Sequence, residues 1–489
     1  MRVDTLFLDE IKYCQIKELE IEEKVNEHSF AKISGIIPKD KVDECINIGK
    51  NDSYITLKGI KEDGSSDIMF VGLIYNFKIN NSSDVNILEI TLVSGTILMD
   101  GNENTKTFQD ISMEYSSIYK NIESEQSASS MILCNDSAIG KMVVQFKETN
   151  WTFAKRLASN LGTCIYPYVL GQGVKYYIGV NENGKVNVID NVQVNVKQSI
   201  EKYMTDYESE GIESINDCIS FEFDSREYFQ IGSQISISES KEALFVCEIH
   251  AKLVKSEVIT SYILKPKTGF KRKRKYNNRI IGASLGGNIK SVSCDKVKIN
   301  VDADANNSDC GSKEFLYSTV YSSPDGTGWY CMPENGDKIR VYFPTEKEED
   351  GYVISSVHLD VNSPAKSSAT QGVDSNAGGG QMAARSNPDY KSISNKQNKE
   401  IIFSPDKLTI TNNNGLSIVL DDNEGITIDS DKGIYFKSDT IVQLVSGGDI
   451  YVVSKDMIQL TQDEKNTITM EEEKISIDGA TLKLQERGQ

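Results

Sequence analysis

The stretch ITIDSDKGIYFKSDTIVQLVSGGDIYVVSKDMIQL, residues 426–460, repeats one pattern every eight residues. In each repeat, two apolar side chains stand two positions apart and small or polar residues follow them. Side chains at i and i+2 of a strand point to one face, and Gly, Asn, Asp and Ser residues are typical of bends. Each octad therefore predicts one short strand followed by one corner.

Apolar pairs of this kind recur from residue 408 to residue 484. We predict that their side chains form the buried core of the C-terminal region. The predicted core residues are Leu408, Ile410, Leu416, Ile418, Ile426, Ile428, Ile434, Phe436, Val442, Leu444, Ile450, Val452, Ile458, Leu460, Ile468, Met470, Ile475, Ile477, Leu482 and Leu484.

A ribbon of such strands cannot bury its own apolar row, so the row needs a partner surface. A single-chain solenoid would have only about three coils, which is near the minimum for a stack of repeats. A series of ordinary antiparallel hairpins has no reason to keep one loop length. Three chains around one axis would each supply one side of a triangle, and ten strands at ~4.8 Å would make a rod ~48 Å long. We therefore predict a trimeric triangular β-helix for residues 396–489, free of hairpins.

The rest of the chain predicts several folded domains, mainly of β structure. Its 489 residues provide material for three or four domains. No run approaches the 18 apolar residues of a membrane-spanning helix, and the first ten residues lack the basic and apolar regions of a signal peptide. We expect a protein that is made in the cytoplasm, with neither signal peptide nor transmembrane segment.

The N-terminal half divides into two predicted domains. Residues 1–100 alternate apolar and polar side chains, as in LEITL at 88–92, and this predicts a β-barrel domain. Residues 101–275 combine helical stripes with further strands, which predicts an α+β domain with a second barrel.

Two helices are predicted within residues 101–275. The first follows a possible N-cap at Asp110, and the second begins near Thr149 or Asn150 and stops at Gly162. Their apolar stripes are Ile111, Tyr115, Ile118 and Ile122 in the first helix and Ala154, Leu157, Ala158 and Leu161 in the second.

Residues 278–360 contain five short strand candidates, with the turn PENGD at 333–337 between two of them. Five strands in this length predict a small closed barrel of the oligonucleotide/oligosaccharide-binding (OB) type. Residues 361–395 begin with a small, polar, Gly-rich sequence and are predicted to be a linker.

The charge of the chain disfavours nucleic acid as a partner. The net charge is −19, and residues 400–489 carry 17 acidic against 8 basic side chains. One basic run, KRKRK at 271–275, is interpreted as a solvated interdomain linker. The nine cysteines are scattered and never form a CxxC pair, so we expect reduced, mostly buried thiols.

No catalytic constellation is evident. The three histidines, His28, His250 and His358, are isolated in the sequence and are interpreted as hydrogen-bonded packing residues. The acidic runs 421–422 and 471–473 are interpreted as solvated turns, because neighbouring side chains of a strand point to opposite faces. We predict no enzyme activity, no cofactor and no metal site.

Several runs resemble the valine-glycine-repeat (VgrG-like) spike family. The run YSTVYSSPDGTGWYCMPENGDKIRVYFP (317–344) carries the resemblance together with the octads, and GYVISSVH (351–358) and NPDYKSISNKQNKEIIFSPDKLTI (387–410) extend it. The runs VNEHSFAKISGII (25–37), IMFVGLI (68–74), FQDISMEY (108–115) and QFKETNWTFAKRLASNLG (145–162) are similar to the hub half of the same family.

This resemblance implies a hub and spike of a contractile injection system, such as a phage baseplate, an R-type bacteriocin like diffocin, or a type VI secretion machine. A homotrimer would form a hub that docks onto the inner tube and baseplate proteins, with a barrel as neck and the octads as needle. Some needles of the family end in histidine pairs that hold iron. No histidine follows His358, so a separate protein would cap this tip, or Leu482/Leu484 would be the blunt apex.

Two other classes remain as alternatives. A trimeric surface fibre or adhesin stalk would need a signal segment and a receptor-binding head. A β-helical tailspike that degrades polysaccharide would need long coils to build a groove, and the octads are short. We favour the spike, which would puncture a target cell envelope when the machine fires.

Overall fold

The computed structural model describes most of the chain, which divides into two compact units, Met1–Ser363 and Pro364–Gln489. The described residues are 5–50, 53–61, 64–82, 85–190, 192–201, 203–204, 214–237, 240–303, 313–320, 323, 331–354, 389–395, 397, 399–462, 465–471 and 473–483. The cysteine at 310, His358 and most of the predicted linker lie outside the described residues, as does Leu484.

The first unit begins with six strands and one helix. They are β1 (Leu6–Leu8), β2 (Gln15–Lys24), β3 (Phe30–Ile37), α1 (Val42–Gly49), β4 (Tyr54–Ile60), β5 (Ser66–Ser82) and β6 (Val85–Val93). The alternation predicted for 88–92 is confirmed, because Leu88, Ile90 and Leu92 are buried while Glu89 is exposed.

A mixed segment follows, with two longer helices. Its elements are β7 (Glu103–Phe108), α2 (Tyr115–Gln126), β8 (Ala128–Ile132), β9 (Val143–Thr149), α3 (Asn150–Asn160), β10 (Ile165–Pro167) and β11 (Val174–Ile178). After it come β12 (Val186–Val188), β13 (Asn195–Lys197), β14 (Ser220–Ser225), β15 (Gln234–Ser236), β16 (Leu244–Val254) and β17 (Glu257–Pro266).

One large sheet joins the beginning and the end of this region. Its strand order is β1-β4-β5-β6-β3-β2-β16-β17-β14-β13, with β12 and β15 attached beside β16. The strand β2 pairs antiparallel with β16, where Glu22 stands opposite His250. The predicted boundary at residue 100 therefore cuts through a continuous sheet, because strands far apart in sequence share one ladder.

The second predicted helix is confirmed and the start of the first is wrong. The Thr149 side chain accepts a hydrogen bond from the Thr152 N–H at 3.2 Å, and Gly162 ends the helix region with φ +67. In contrast, α2 begins at Tyr115 after Glu114. Asp110 accepts from the Ser112 N–H at 3.0 Å, so its carboxylate closes a local turn.

Residues 278–354 contain a separate five-stranded sheet. Its strands are β18 (Ser284–Ser293), β19 (Lys296–Val301), β20 (Phe315–Leu316), β21 (Lys338–Tyr342) and β22 (Tyr352–Ile354), in the order β20-β19-β18-β21-β22. A bridge between Tyr317 and Val353 links the two edges, and the Ser318 N–H donates to the Val353 carbonyl at 2.8 Å. This bridge joins the edge strands β20 and β22, and we call the described residues between 278 and 354 the small barrel.

The basic run before the small barrel is not the solvated linker that we predicted. Arg272 is 8% exposed and donates to the Gly269 carbonyl at 3.0 Å, while the exposed Lys271 and Lys273 flank it. The Lys275 N–H also donates to the Ser159 hydroxyl of α3 at 2.9 Å. The backbone lies against the preceding domain, and this contact shields the arginine from water.

The second unit is a tail of short antiparallel strands. They are β23 (Lys391–Ser394), β24 (Glu400–Phe403), β25 (Lys407–Thr411), β26 (Leu416–Asp421) and β27 (Gly425–Ser430) in one sheet, and β28 (Met457–Gln462), β29 (Asn466–Glu471) and β30 (Lys474–Asp478) in another. Residues 431–456, which contain the central octads, form no strand.

The prediction of a hairpin-free tail is wrong for the single chain. Sequence-neighbouring strands pair antiparallel throughout both sheets. A lone chain can satisfy the N–H and C=O groups of its strands only with its own neighbours or with water. The mainly β fold class is confirmed, because strands far outnumber helices among the described residues.

Candidate functional site

A buried ion triad joins the small barrel to the mixed segment that contains α2 and α3, which we call the helical segment. The triad consists of Glu148, Arg156 and Glu348, and we call it the buried triad. Arg156 on α3 donates from Nη1 to Glu348 Oε1 at 2.7 Å and from Nη2 to Glu148 Oε1 at 2.6 Å. The three side chains are only 4–6% exposed. Burial disfavours the charge of Arg156, but the attraction of the two carboxylates outweighs this effect and raises its pKa.

Apolar and backbone contacts surround the triad. Met142, Val144 and Phe146 on and beside β9 belong to the same buried core as the inner face of the small barrel. The Asn277 side-chain amide donates to the Phe146 carbonyl at 2.7 Å, and the Thr107 N–H donates to the Ala303 carbonyl at 2.9 Å. The small barrel and the segment around β9 thus form one packed body.

The described residues of the tail form no buried core of their own. No described residue between 389 and 483 is buried, and every hydrophobic core cluster among the described residues lies before residue 355. The six predicted core side chains within residues 434–452 are instead exposed to between 47% and 75%. These are Ile434, Phe436, Val442, Leu444, Ile450 and Val452.

The hairpins nevertheless align the predicted core residues in rows. Ile410 stands opposite Ile418, which stands opposite Ile428. In the second sheet, Leu460 stands opposite Ile468 and Ile468 opposite Ile477. Each sheet therefore presents one continuous apolar face, although six of the ten predicted pairs, and not all ten, lie on strands.

The acidic run at 421–422 is not simply a solvated turn. Asp421 accepts hydrogen bonds from Lys407 at 2.6 Å and from the Asn423 N–H at 2.9 Å. These bonds, led by that of Lys407, lower the pKa of Asp421 to about 2. The carboxylate closes the turn between β26 and β27, and we find no catalytic partner for it among the described residues.

His28 is a packing residue, as predicted. Its Nε2 lies 2.9 Å from Asp100 Oδ2 and its Nδ1 lies 2.8 Å from Thr96 Oγ1, while its ring stacks on Trp151 with centroids 4.8 Å apart. Because a carboxylate only accepts, a neutral imidazole donates from Nε2 to Asp100 and accepts from Thr96. Thr96 is fully buried, so this arrangement fixes a loop and offers no accessible nucleophile.

A buried carboxyl was not predicted from the sequence. Glu23 on β2 is 4% exposed, and it accepts hydrogen bonds from the Tyr228 hydroxyl at 2.5 Å and the Ser29 hydroxyl at 3.3 Å. Burial raises its pKa to about 7, and the two hydroxyls oppose this shift only in part. Glu23 shares the buried face of β2 with Leu19 and Ile21, so the alternation of these positions is the sequence signal that could have indicated its burial.

Replacing Glu23 by Gln should flatten the pH dependence of stability. Glu23 binds its proton more tightly in the folded chain than in the unfolded one, so its stabilising contribution is complete below pH 4.5 and is lost as pH rises through 7. A shift of this size corresponds to about 3 kcal/mol. We expect the free energy of unfolding of E23Q, measured with urea, to increase relative to that of the parent as the pH is raised from 5 to 8. A constant difference would show that Glu23 does not titrate in this range.

His250, which is isolated in the sequence, lies beside two carboxylates in the structure. It lies on β16 directly opposite Glu22 of β2, and Glu20 occupies the next position on the same face. One donor atom from each of these three side chains lies within 4.8 Å of the others. The strand register brings them together, and nothing in the local sequence around His250 indicates it.

None of the described cysteines forms a disulfide, and five of these eight are buried: Cys14, Cys45, Cys164, Cys218 and Cys247. Among the described residues, no helix is both long and apolar enough to cross a membrane.

No protein-family model and no curated protein sequence matches the chain. Among solved structures, a chain of the Francisella PdpA-VgrG complex in its lidded form is similar over 85% of this chain and 76% of its own, with 11% identity and a TM-score of 0.50. The E. coli c3393 protein is similar over 71% of this chain and 98% of its own, with 13% identity and a TM-score of 0.48. It is described as a type VI secretion component with structural similarity to the T4 tail proteins gp27 and gp5.

A tail protein from Neisseria meningitidis also matches 54% of this chain and 98% of its own, with 10% identity and a TM-score of 0.39. At such identities a match shows a shared fold. The predicted resemblance is confirmed at that level, by the similarity to a chain of the PdpA-VgrG complex.

Proposed function

We propose that this chain is the central hub and spike of a contractile injection machine and acts as a homotrimer. In this proposal, residues 1–275 form the hub that docks onto inner tube and baseplate proteins. The small barrel is an OB-like neck, and residues 396–489 form a triangular β-helical needle. The role is mechanical, and no enzymatic step is included.

The exposed apolar rows of the tail are the observation that carries this proposal. Phe436 and Leu444 are 72% and 75% exposed in a single chain, although they recur at a fixed spacing of eight residues. An isolated exposed apolar side chain needs no explanation, but a continuous periodic row is typical of a surface that is covered by a partner. Three copies of the same row can cover one another around an axis, which gives a closed cyclic arrangement.

The polar composition of the tail agrees with the same arrangement. Tyr435 and Tyr451 alternate with the predicted core positions and are 93% and 83% exposed, so they would lie on the outside of the needle. The excess of acidic side chains in residues 400–489 would keep the outer surface hydrated and discourage needles from associating laterally.

A needle of this kind can transmit axial force. Each interior strand would have ladder partners from other copies on both sides, so bending would have to break hydrogen bonds in three chains together. Between the hub and the needle, the buried triad holds the small barrel on the helical segment. The thrust of a contracting sheath would then reach the target cell envelope, with or without a separate protein on the tip.

The molecular mass of the purified chain tests the proposal directly. We expect light scattering after size exclusion to give three times the 54.4 kDa of one chain. We also expect residues 396–489 to resist proteolysis in that species. A monomer whose tail resists proteases would contradict the proposal, because it would mean that one chain can bury its own apolar rows.

A further inference from the structure

We propose that Glu20, Glu22 and His250 form a binding site for a divalent transition-metal ion, with Zn²⁺ as the best-suited ion. The site would link β2 to β16 on the outer face of the large sheet. This inference is independent of the proposed function, since it concerns three side chains of one chain and holds for a monomer or a trimer.

The register of the two strands positions the three ligands. Glu22 and His250 are directly opposite in the antiparallel pair, and Glu20 stands opposite Lys252 on the same face. Cross-strand neighbours of this kind have Cβ atoms ~5 Å apart, and their side chains point the same way. The donor atoms already lie within 4.8 Å of one another, and ligands of one tetrahedral zinc lie roughly 3.5 Å apart. Small rotations of half-exposed side chains close this difference.

The donor set selects the class of ion. One imidazole nitrogen with two carboxylate oxygens suits Zn²⁺, Co²⁺ or Ni²⁺, whereas Ca²⁺ and Mg²⁺ prefer oxygen ligands alone. Three protein ligands leave a fourth position for water. An ion bound here would join a strand from the start of the chain to one that lies much later in the sequence, and it would stabilise the pairing of β2 with β16.

Two lysines compete with the ion for the carboxylates. Lys252 Nζ lies 2.9 Å from Glu20 Oε1, and Lys32 Nζ lies 3.4 Å from Glu20 Oε2 and 3.9 Å from Glu22 Oε1. Both lysine side chains are more than half exposed, at 56% and 54%. Ion pairs at such exposure are weak, and long side chains can leave the carboxylates for water. Zinc binding should therefore displace the lysines at a modest energetic penalty.

Isothermal titration of the untagged full-length chain with ZnCl₂ at pH 7.5 tests the inference. Exposed thiols are zinc ligands in general, and Cys294 and Cys331 are exposed, so the parent for all variants carries Ser at these positions and at 310. We expect one site per chain. His250→Ala and Glu22→Gln should each weaken binding at least ~10-fold, because losing a ligand costs no less than losing its outer-shell partner.

Two further variants distinguish a specific zinc site from non-specific binding of zinc to acidic surface residues. Glu248→Gln removes a carboxylate two positions before His250, on the same strand and outside the ligand set, and should leave the affinity unchanged. Lys252→Met removes a competing cation and should tighten binding about five-fold. Bound zinc should also raise the melting temperature of the parent and of E248Q, but not that of H250A.

The possible outcomes are decisive. Weaker binding in H250A and E22Q, with E248Q unchanged, would establish the site. Absence of zinc binding by the parent, or equal affinity of all variants, would overturn it and would mean that the lysines hold the carboxylates. All four positions lie on the sheet surface, so circular dichroism should show the same fold in every variant. If H250A nevertheless unfolds, the comparison of E22Q with E248Q decides alone.

Discussion

The double variant Ile434→Asp/Ile450→Asp should abolish assembly of the trimer. The two side chains are 47% and 54% exposed in a single chain, so aspartate there should hardly affect the fold of a monomer. In the proposed needle they lie in one dry column, and three chains would place six carboxylates inside it. At several kcal/mol for each buried unpaired charge, the total penalty exceeds ~10 kcal/mol. Light scattering should give the mass of one chain.

A matched control comes from the neighbouring tyrosines. Tyr435→Asp/Tyr451→Asp introduces the same charges, with the same spacing, on the opposite side of the predicted strands. We expect this variant to remain trimeric, because its carboxylates would face water. Near-UV circular dichroism should show that the first unit remains folded in both variants. Equal masses for the two variants would refute the assignment of inward and outward faces.

Replacing Arg156 by Met should destabilise the first unit by about 3–5 kcal/mol, since it leaves two buried carboxylates without their common cation. Glu148 and Glu348 are 6% and 4% exposed, so water cannot compensate for the loss. Trp151, which is 1% exposed and lies on the same helix, reports the unfolding transition by fluorescence. Urea titration should show the transition at a lower concentration.

Arg279→Met is the control for the buried triad. Arg279 also bridges to the helical segment, through Glu103, but both side chains are more than half exposed. We expect a loss of no more than ~1 kcal/mol there, as for other exposed ion pairs. The triple variant R156M/E148Q/E348Q removes all three charges and should recover much of the stability. If R156M unfolds at the same urea concentration as R279M, the buried triad does not stabilise the joint.

Local signals in the sequence predict local structure well. The helix α3 follows from the cap at Thr149 and the stop at Gly162, because both are determined by residues within a few positions. The start of α2 was misplaced for the opposite reason. An aspartate can cap a helix or close a turn, and at Asp110 the turn with Ser112 prevails.

Long-range pairing is what sequence patterns miss. The buried triad and the cluster of Glu20, Glu22 and His250 depend on which strand or helix lies beside which, and no periodicity encodes that. Arg272 belongs to the same class of errors, since five consecutive basic residues indicate a solvated segment until a domain surface is placed against one of them.

The octads differ from both cases. Their spacing correctly places apolar side chains on one face, but whether a strand forms depends on a partner strand. Spacing alone places Ile426 and Ile428 on one face of a strand, and both lie on β27. The same spacing at Ile450 and Val452 yields no strand in a single chain. Edge backbone groups need a neighbour, and the sequence specifies the face but not which chain supplies the ladder.

The position of Glu348 in the chain has a consequence for synthesis. Its carboxylate meets Arg156 across 192 residues. A ribosome that adds ~5–20 residues per second needs about 10–40 seconds to travel that distance. During this interval α3 can emerge and fold with only Glu148 to balance its guanidinium. The nascent chain should therefore remain protease-sensitive around α3 until the small barrel has left the exit tunnel.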